Sequence, residues 1–521
     1  MSDEAPAAVV VLAAGEGTRM RSTTPKVLHE LLGRSLLQHV LAAVTGLRPG
    51  RVAVVVGHSR EAVGEQVAAW EPPATVVVQE SQDGTGHAVR VALEALPDVT
   101  GGTVVVVNGD TPLLTTQTLQ ALLTEHARSS AHATVLTARL ADPTGYGRIL
   151  RASDGSVAGI VEERDATPDQ RGVDEVNSGM YAFDVVALRA ALGRLQRDNS
   201  QGEEYLTDVV GLLRADGQVV AACPAPTSDE VLGVNDQVQL AAARALLRDR
   251  ILVEWMRLGV VVHDPATTWV DVGVELAAGA ELLPGTRLQG SSTVASGAVL
   301  GPDVTLVDTS VGEGARVRSS TAEQAVIGAR ADVGPHTWLR TGAVLGVGAR
   351  AGAAVEIKNS VLGDGAKVKH LSYIGDADIG EGANIGAATI VANYDGQKKH
   401  RTVVGANVST GSDTVLVAPV VLGDGAYTAA GSVVTEDVPS GAIAVARGRQ
   451  RNIAGWVERR RAGSPAARAA AAARARQTPG GAGATPPQST PTPDSADNPD
   501  STDTAATTSQ PDRTEEGGQH P

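Results

Sequence analysis

From Val260 onward glycines recur six residues apart, and this spacing limits the possible folds more than any other feature of the chain. Gly273, Gly279 and Gly285 keep the interval, as do Gly328 with Gly334, Gly346 with Gly352, Gly380 with Gly386, and Gly405 with Gly411. An aliphatic residue often precedes the glycine, as at Val272, Val333, Leu345, Ile379, Ile385, Val404 and Leu422. Such a pattern predicts a parallel β-helix in which each six-residue rung makes one face of a triangular coil. A flexible linker has no reason to hold aliphatic residues in phase with its glycines. The phase breaks at residues 358–373 and 393–401, which are predicted to project as loops, where function concentrates.

Composition agrees with a core of small aliphatic columns. The chain has 59 glycines but one phenylalanine, Phe183, and aromatics make up 2% of it. Its 521 residues exceed one core and suggest about three units. A net charge of −15 repels nucleic acid and anionic membrane, leaving room only for local basic pockets. The single cysteine, Cys223, excludes a disulfide scaffold and fits a reducing compartment as a small apolar filler. The acidic start and the lack of a long apolar run predict a cytoplasmic protein without membrane insertion. After Arg461 no Val, Ile, Leu, Met, Phe, Trp or Tyr occurs, so residues 462–521 are expected to form a disordered tail, residues 466–476 at most flickering as a helix.

The first part of the chain alternates Val-rich runs (8–12, 52–56, 75–78, 103–107 and 133–137) with helix-compatible stretches (36–47 and 116–128). Buried parallel strands joined by crossover helices, a doubly wound α/β sheet, are expected. Residues 236–258 lack Gly and Pro and read either as a connecting helix or as the last helix of the first domain. The division expected is therefore residues 1–235, a linker helix at 236–259, a β-helix at 260–461 and the tail.

The first Val run leads through Leu12 and Ala13 into Gly15-Glu16-Gly17, with Arg19 and Lys26 following. Glycines after a strand let backbone N–H groups approach phosphates, and the two cations can neutralise them, although a tight βα turn alone would use the same glycines. The pattern is neither the dinucleotide fingerprint nor the P-loop. The fourth run ends in Asn108-Gly109-Asp110, placing a carboxylate at a strand end; such an Asp suits Mg²⁺ beside phosphates, or a cap or turn. Gln79, Gly84-Thr85, Gly145-Tyr146-Gly147-Arg148, Glu162, Asn177 and Asn235 add polar punctuation. In the repeats, Lys358, His370-Leu371-Ser372-Tyr373, Asn384 and Asn393-Tyr394-Asp395-Gly396 stand out, and a neutral imidazole is suited to take a proton from an attacking amine.

In this order the motifs resemble the bacterial bifunctional GlmU family over roughly residues 6–461. The resemblance implies a Rossmann-like uridylyltransferase domain followed by a left-handed parallel β-helix acetyltransferase, together making UDP-N-acetylglucosamine for peptidoglycan and the cell wall. It implies UTP and sugar phosphate bound by residues matching Leu12, Ala13, Gly15, Arg19, Lys26, Gln79, Gly84, Thr85, Gly147, Glu162, Asn177 and Asn235, with Mg²⁺ on Asp110 and Asn235. For the second site it implies His370 as base, glucosamine-1-phosphate on Arg340, Lys358, Tyr373, Asn384, Asn393 and Tyr394, and acetyl-CoA along Ala387, Ser412, Ala430 and Arg447. A homotrimer with acetyl-CoA between subunits is the expected assembly. Three departures stand against the family pattern. Glu16 replaces a common Lys and so shifts weight to Arg19 and Lys26; Asn108 replaces a common Tyr; and Ala388 replaces a common Gly, expected to add only a methyl.

Overall fold

Val-rich runs without polar alternation become strands only where both faces are covered. In the computed structural model, which describes residues 5–57 and 60–477, they do so here. The strands are β1 (Ala8–Ala13), β2 (Val52–Val56), β3 (Thr75–Val78), β4 (Thr103–Asn108), β5 (Ala133–Arg139), β6 (Arg148–Arg151), β7 (Val157–Val161), β8 (Glu175–Asp184) and β9 (Val220–Pro224). The main sheet runs β9-β5-β8-β4-β1-β2-β3, with β6 and β7 forming a hairpin beside β8. Separate apolar clusters cover its two faces, one built on Val10, Val55 and Val104 and the other on Val11, Val54 and Val105.

The sheet is mixed rather than all parallel, because β8 lies antiparallel between β4 and β5. Its Asn177-Ser178-Gly179 stretch stands out in the sequence only as polar punctuation. In the structure the register of β8 on β5 shifts between Asn177 and Tyr181, a bulge that keeps the strand while re-aiming these side chains. Helix α1 (Leu36–Thr45) begins in a capping box of Ser35 and Gln38, and α2 (Thr85–Glu94) starts directly after Gly84. The Gly- and Pro-free stretch is one long helix, α3 (Gln237–Arg257), capped by the Asp236 carboxylate on Gln239 N.

Short strands follow from Val261 and stack into three parallel sheets, so each coil contributes one strand to each. In each strand one residue points inward. Val270, Leu288, Leu306, Leu339, Ile357 and Ile374 make one fully buried column, and Ala280, Ala298, Ala315, Ala349, Ala366 and Ala383 another. Buried hydroxyls at the corners donate to backbone carbonyls, as Thr389 does to Gly386 and Ser372 to His370, so they carry no desolvation penalty.

Of the two expected loops one is present. Val361 pairs with Asp378, but Ala377 pairs with Thr402, so the coil containing residues 393–401 carries an inserted loop. Residues 358–373 are regular coil instead, containing the strands Val361–Leu362 and Lys367–His370. The phase slips there because the coil is one residue shorter, Val344 pairing with Val361 where Glu275 pairs with Thr293. Its corners are turned by non-glycine residues, Asn359 (φ 45°) and Leu371 (φ 51°).

The chain forms two compact units, the first ending at Arg447. The second begins at Gly448 and contains helices α4 (Trp456–Arg460) and α5 (Pro465–Gln477). The expectation of disorder from residue 462 is corrected for α5. Ser464 caps it through Ala467 N, Pro465 occupies its first turn, and the alanine run has the highest helix propensity. This helix is not isolated, since Arg474 reaches Glu458 of α4 at 3.2 Å. Residues 478–521 of the expected tail lie outside the described residues.

Candidate active sites

β1 and β4 are adjacent and parallel, so their carboxyl ends open together, where open α/β sheets bind ligands. Gly109 N donates to Leu12 O (2.8 Å), tying the two strand ends to one another. A cleft of about 500 Å³ opens here, lined by every residue read from the sequence for this site: Leu12, Ala13, Gly15, Arg19, Lys26, Gln79, Gly84, Thr85, Asp110, Gly147, Glu162, Asn177 and Asn235.

The charged end of the cleft is organised around one ammonium group. Lys26 Nζ donates to Asp110 Oδ2 and lies 3.3 Å from Asn235 Oδ1, which also accepts from Arg19 Nη2 at 2.9 Å. Asn235 is fixed from behind, its N–H on Gln239 Oε1 (2.7 Å), and Val234 N donates to Asp110 O (2.9 Å). A carboxylate and an amide oxygen thus converge on the Lys26 ammonium, with Arg19 also on the amide, and a hard divalent ion such as Mg²⁺ fits this donor set. Gly233 leaves the place open, because a Cβ there would lie 3.7 Å from Asp110 Oδ1.

At the other end, Glu162 accepts from Thr207 Oγ1 (3.2 Å), and burial pushes its carboxyl above the usual range, with Asp208 and Asp165 adding to the shift. Asn177 donates to the buried Tyr181 hydroxyl (2.7 Å) and accepts from Gly179 N (3.0 Å). The Asn108 amide donates to Ser178 O (3.2 Å), so it contacts the chain opposite instead of presenting a ring to the cleft. Thr207, Tyr181 and Gln239 were not read from the sequence; each lines the cleft and bonds to one of the residues that were, and no motif marks them.

The β-helix carries a second constellation. Arg340 is held between Glu356 (2.8 Å) and the face of Trp338 (4.7 Å). Lys358 stands within hydrogen-bond reach of Lys399, and this contact, then desolvation, lowers its pKa against the opposing pull of Asp376. Asp376 accepts from Asn359 (2.6 Å) and Asn393 (2.5 Å). Burial alone would raise its pKa, but these two amides, followed by Lys358 and Lys399, hold it below the usual carboxylate range. The Tyr373 hydroxyl packs against Gly375, where a Cβ would lie 2.4 Å from it and 2.8 Å from Asn393 Nδ2. Lys399, on the inserted loop, was missed in the sequence. The loop itself is built on Asp395, which accepts from Lys398 N and from the His400 ring (2.7 Å). Tyr394 is exposed and donates to Gly396 O of its own turn.

His370 ends its strand, exposed, at a corner where the coils stack in a regular way. Ala388 N bonds to His370 O, Asp413 N to Ala387 O, and Gly431 N to Ser412 O. His370, Ala387, Ser412 and Ala430 therefore occupy one position in four successive coils. The residues after them, Leu371, Ala388, Asp413 and Gly431, all have left-handed backbone. Ala388 (φ 59°) accordingly costs more than the methyl expected of it, yet shares its conformation with its non-glycine neighbours in the column. Asn384 lies on the next strand of the same sheet, paired with Lys367 and bridged to Ser409, and Arg447 is exposed beyond the last strand. No described contact joins His370 to the Lys358–Asp376 group.

A nucleotide-type cleft on a doubly wound sheet, followed by a β-helix with cations and a corner histidine, defines a nucleotidyltransferase joined to a hexapeptide-repeat acyltransferase. Residues 9–200 match the MobA-like NTP transferase domain family. Along most of its length the chain is similar to proteins called bifunctional protein GlmU. That of Streptomyces avermitilis is 56% identical over 471 residues, 90% of this chain and 98% of the relative. The Thermobifida fusca protein is 58% identical over 480 residues (91% and 99%), and that of Mycolicibacterium vanbaalenii 55% over 467 residues (88% and 94%). The chain belongs to the bifunctional GlmU family.

Proposed function

We propose that residues 1–235 carry the uridylyltransferase and residues 260–461 the acetyltransferase of this bifunctional enzyme, joined by the helix within 236–259. The β-helix site acetylates glucosamine-1-phosphate from acetyl-CoA. The cleft then transfers uridylyl from UTP to N-acetylglucosamine-1-phosphate, giving UDP-N-acetylglucosamine, a cell-wall precursor, and pyrophosphate. The observation that carries this reading is the convergence of Lys26, Arg19, Asp110 and Asn235 at the end of β1 and β4.

In the cleft, a sugar-phosphate oxygen attacks the α-phosphorus of UTP and pyrophosphate leaves. Lys26 and Arg19 neutralise the phosphates, and the turn at Gly15 brings backbone N–H groups to them. Asp110 and Asn235 would hold Mg²⁺, which would supply further charge neutralisation when bound. Gln79 with Gly84-Thr85 reads uracil, while Gly147, Glu162 and Asn177 hold the sugar.

In the β-helix, Arg340 and Lys358 bind the phosphate of glucosamine-1-phosphate, and Tyr373, Asn384, Asn393 and Tyr394 orient the sugar. The amine attacks the thioester carbonyl, His370 takes its proton, and coenzyme A leaves as the thiol. Ala387, Ser412 and Ala430 are small and stack beyond His370, an arrangement suited to a long pantetheine arm, with Arg447 toward the phosphates. Exposed valines at Val326, Val361, Val403 and Val421 on one sheet support a homotrimer, because a second copy would cover them. Among the described residues no helix is long and apolar enough to cross a membrane. A cytoplasmic location follows from the need for UTP and acetyl-CoA.

Two variants test the assignment in the full-length enzyme. Asp110→Ala should abolish pyrophosphate release from UTP and leave thiol release from acetyl-CoA near wild type. His370→Ala should do the reverse, lowering acetyl transfer by ~10²-fold or more. Loss of both activities in either folded variant, or a loss under about fivefold for His370→Ala, contradicts the assignment.

A further inference from the structure

The Gly84-Thr85 turn does not support itself. Its backbone hangs on a second segment, residues 204–206. Glu204 N donates to Asp83 O (2.7 Å), Gly86 N donates to Glu204 O (2.8 Å), and Leu206 N donates to Thr85 Oγ1 (3.1 Å). The approach is so close that a Cβ on Gly84 (φ 106°) would lie 2.5 Å from Glu204 O. Wherever residue 204 sits, the turn sits with it.

What holds residue 204 is its own side chain. The cleft is lined by Glu203, Leu206 and Thr207, whereas the Glu204 carboxylate turns onto two arginines. Arg90 Nη2 donates to both of its oxygens (3.1 and 2.8 Å), and Arg197 Nη2 to one (3.1 Å). Arg90 belongs to α2, the helix that springs from the turn, and Arg197 also pairs with Asp83 at 3.0 Å. The Glu204 side chain is 11% exposed, whereas Arg90 and Arg197 keep 34% and 47%, so the carboxylate is withdrawn from water while the two guanidinium groups reach it from the surface. Both ends of the turn, Asp83 and the start of α2, are thereby fixed to one carboxylate.

The geometry points to Glu204 as a positioning residue for nucleobase recognition, clamped by Arg90 and Arg197 so that the Gly84-Thr85 turn and the Gln79 amide present a fixed edge to uracil. Gln79 Nε2 itself donates to Gly84 O (3.1 Å), so a displaced turn takes that amide along. The inference rests on the reading of this turn as the uracil site. Glu204 touches no substrate; it acts by lowering the freedom of the groups that do.

The test is steady-state kinetics of Glu204→Gln and Arg90→Gln in the full-length enzyme, with UTP and N-acetylglucosamine-1-phosphate varied separately. Loss of the clamp is expected to raise the KM for UTP about tenfold with kcat within about twofold. The KM for the sugar phosphate should stay unchanged, and the preference for UTP over CTP should fall. The double variant should cost little more than either single one, since the two share one interaction. Gln79→Ala separates the two levels of the argument. If it raises the KM for UTP while Glu204→Gln and Arg90→Gln do not, the positioning role is overturned and the uracil site stands. If Gln79→Ala also leaves that KM unchanged, the uracil reading falls, and the inference with it. A rise in both KM values together, or a fall in thermal stability with unaltered kinetics, marks the clamp as merely structural and overturns the inference.

Discussion

Gly346 and Gly348 stand two residues apart, and the structure gives them opposite reasons to be glycine. At Gly346 a Cβ would lie 2.5 Å from Asp364 Oδ1 and 2.8 Å from both Asp364 N and the Gly363 carbonyl carbon of the next coil. At Gly348 a Cβ would meet nothing within 4 Å, but φ is 67°. The coils cannot part to make room at Gly346, because Gly346 N donates to Leu362 O (2.7 Å), Gly365 N to Val347 O (2.8 Å) and Val347 N to Asp364 Oδ1 (2.7 Å). Gly346→Ala therefore overpacks main chain against main chain, at about 2–3 kcal/mol. Gly348→Ala incurs only the left-handed backbone penalty, about 1–2 kcal/mol. Asparagine distinguishes the two causes. Asn407 (φ 53°) occupies the corresponding corner, bonded to Glu381 O as Gly348 is to Ala329 O. Gly348→Asn should recover most of the loss, and Gly346→Asn none of it. Thermal unfolding followed by circular dichroism reads the difference, at about 2–4 °C per kcal/mol for a repeat array of this size. Equal shifts for the two alanine variants, or Gly348→Asn as damaging as Gly348→Ala, would refute the reasoning.

Arg330 fills the same corner column with φ 56° and an exposed side chain, so Arg330→Gly should stabilise the β-helix by about 1 kcal/mol, seen as a rise in Tm of about 2–4 °C. Buried His39, bonded through Nε2 to Leu31 O (2.6 Å), has its pKa lowered from 6.5 to about 4, chiefly by burial. As pH falls from 6.5 toward 4 the unfolded chain takes up this proton and the folded one does not, so stability drops by about 3 kcal/mol across that window. His39→Gln should flatten that part of the profile of denaturation midpoint against pH, and an unchanged profile would assign the acid loss to other groups. Deleting residues 478–521 should leave both activities intact, whereas a loss of acetyl transfer would give that segment a role.

The strands of the first sheet were legible because Val-rich runs in a covered sheet need no alternation, and β1, β2, β3, β4 and β5 lie where those runs lie, with β3 at the sheet edge leaving Thr75 and Val76 exposed. β8 was not legible, since its bulge at Asn177–Gly179 puts polar residues where a strand reading demands apolar ones. That departure serves the cleft, as the bulge turns Asn177 and Gly179 into its lining. The tail expectation failed at α5 for a different reason. Composition measures how much apolar surface a segment can bury, and it does not register a capped alanine helix lying against a neighbour that already has a tryptophan. Within that second unit Arg461 lies 5.5 Å over the Trp456 ring, so the tryptophan that closes the apolar sequence is partly covered by a cation.

The two sites differ in how their residues come together, and this sets what a sequence can reveal of each. In the cleft, most candidates sit close to the end of a strand or the start of a helix, so their motifs carry their own local geometry, Asn177 on the β8 bulge being the exception. In the β-helix, His370, Ala387, Ser412 and Ala430 are equivalent only through the stacking of coils of unequal length: a short coil precedes His370, and the inserted loop lies between Ala387 and Ser412. The residues that mark the shared corner, Leu371, Ala388 and Asp413, adopt left-handed backbone without being glycine, so the glycine phase that announces the fold falls silent at this column. Lys399 shows the same effect from the loop side. It reaches Lys358 and Asp376 only because Asp395 folds residues 393–401 back onto the coil, through bonds to Gln397 N, Lys398 N and His400. A substitution that frees the loop, such as Asp395→Ala, should thus weaken binding of the sugar phosphate through a residue that it does not itself touch. The insertion that interrupts the repeat is what delivers the additional cation to the site.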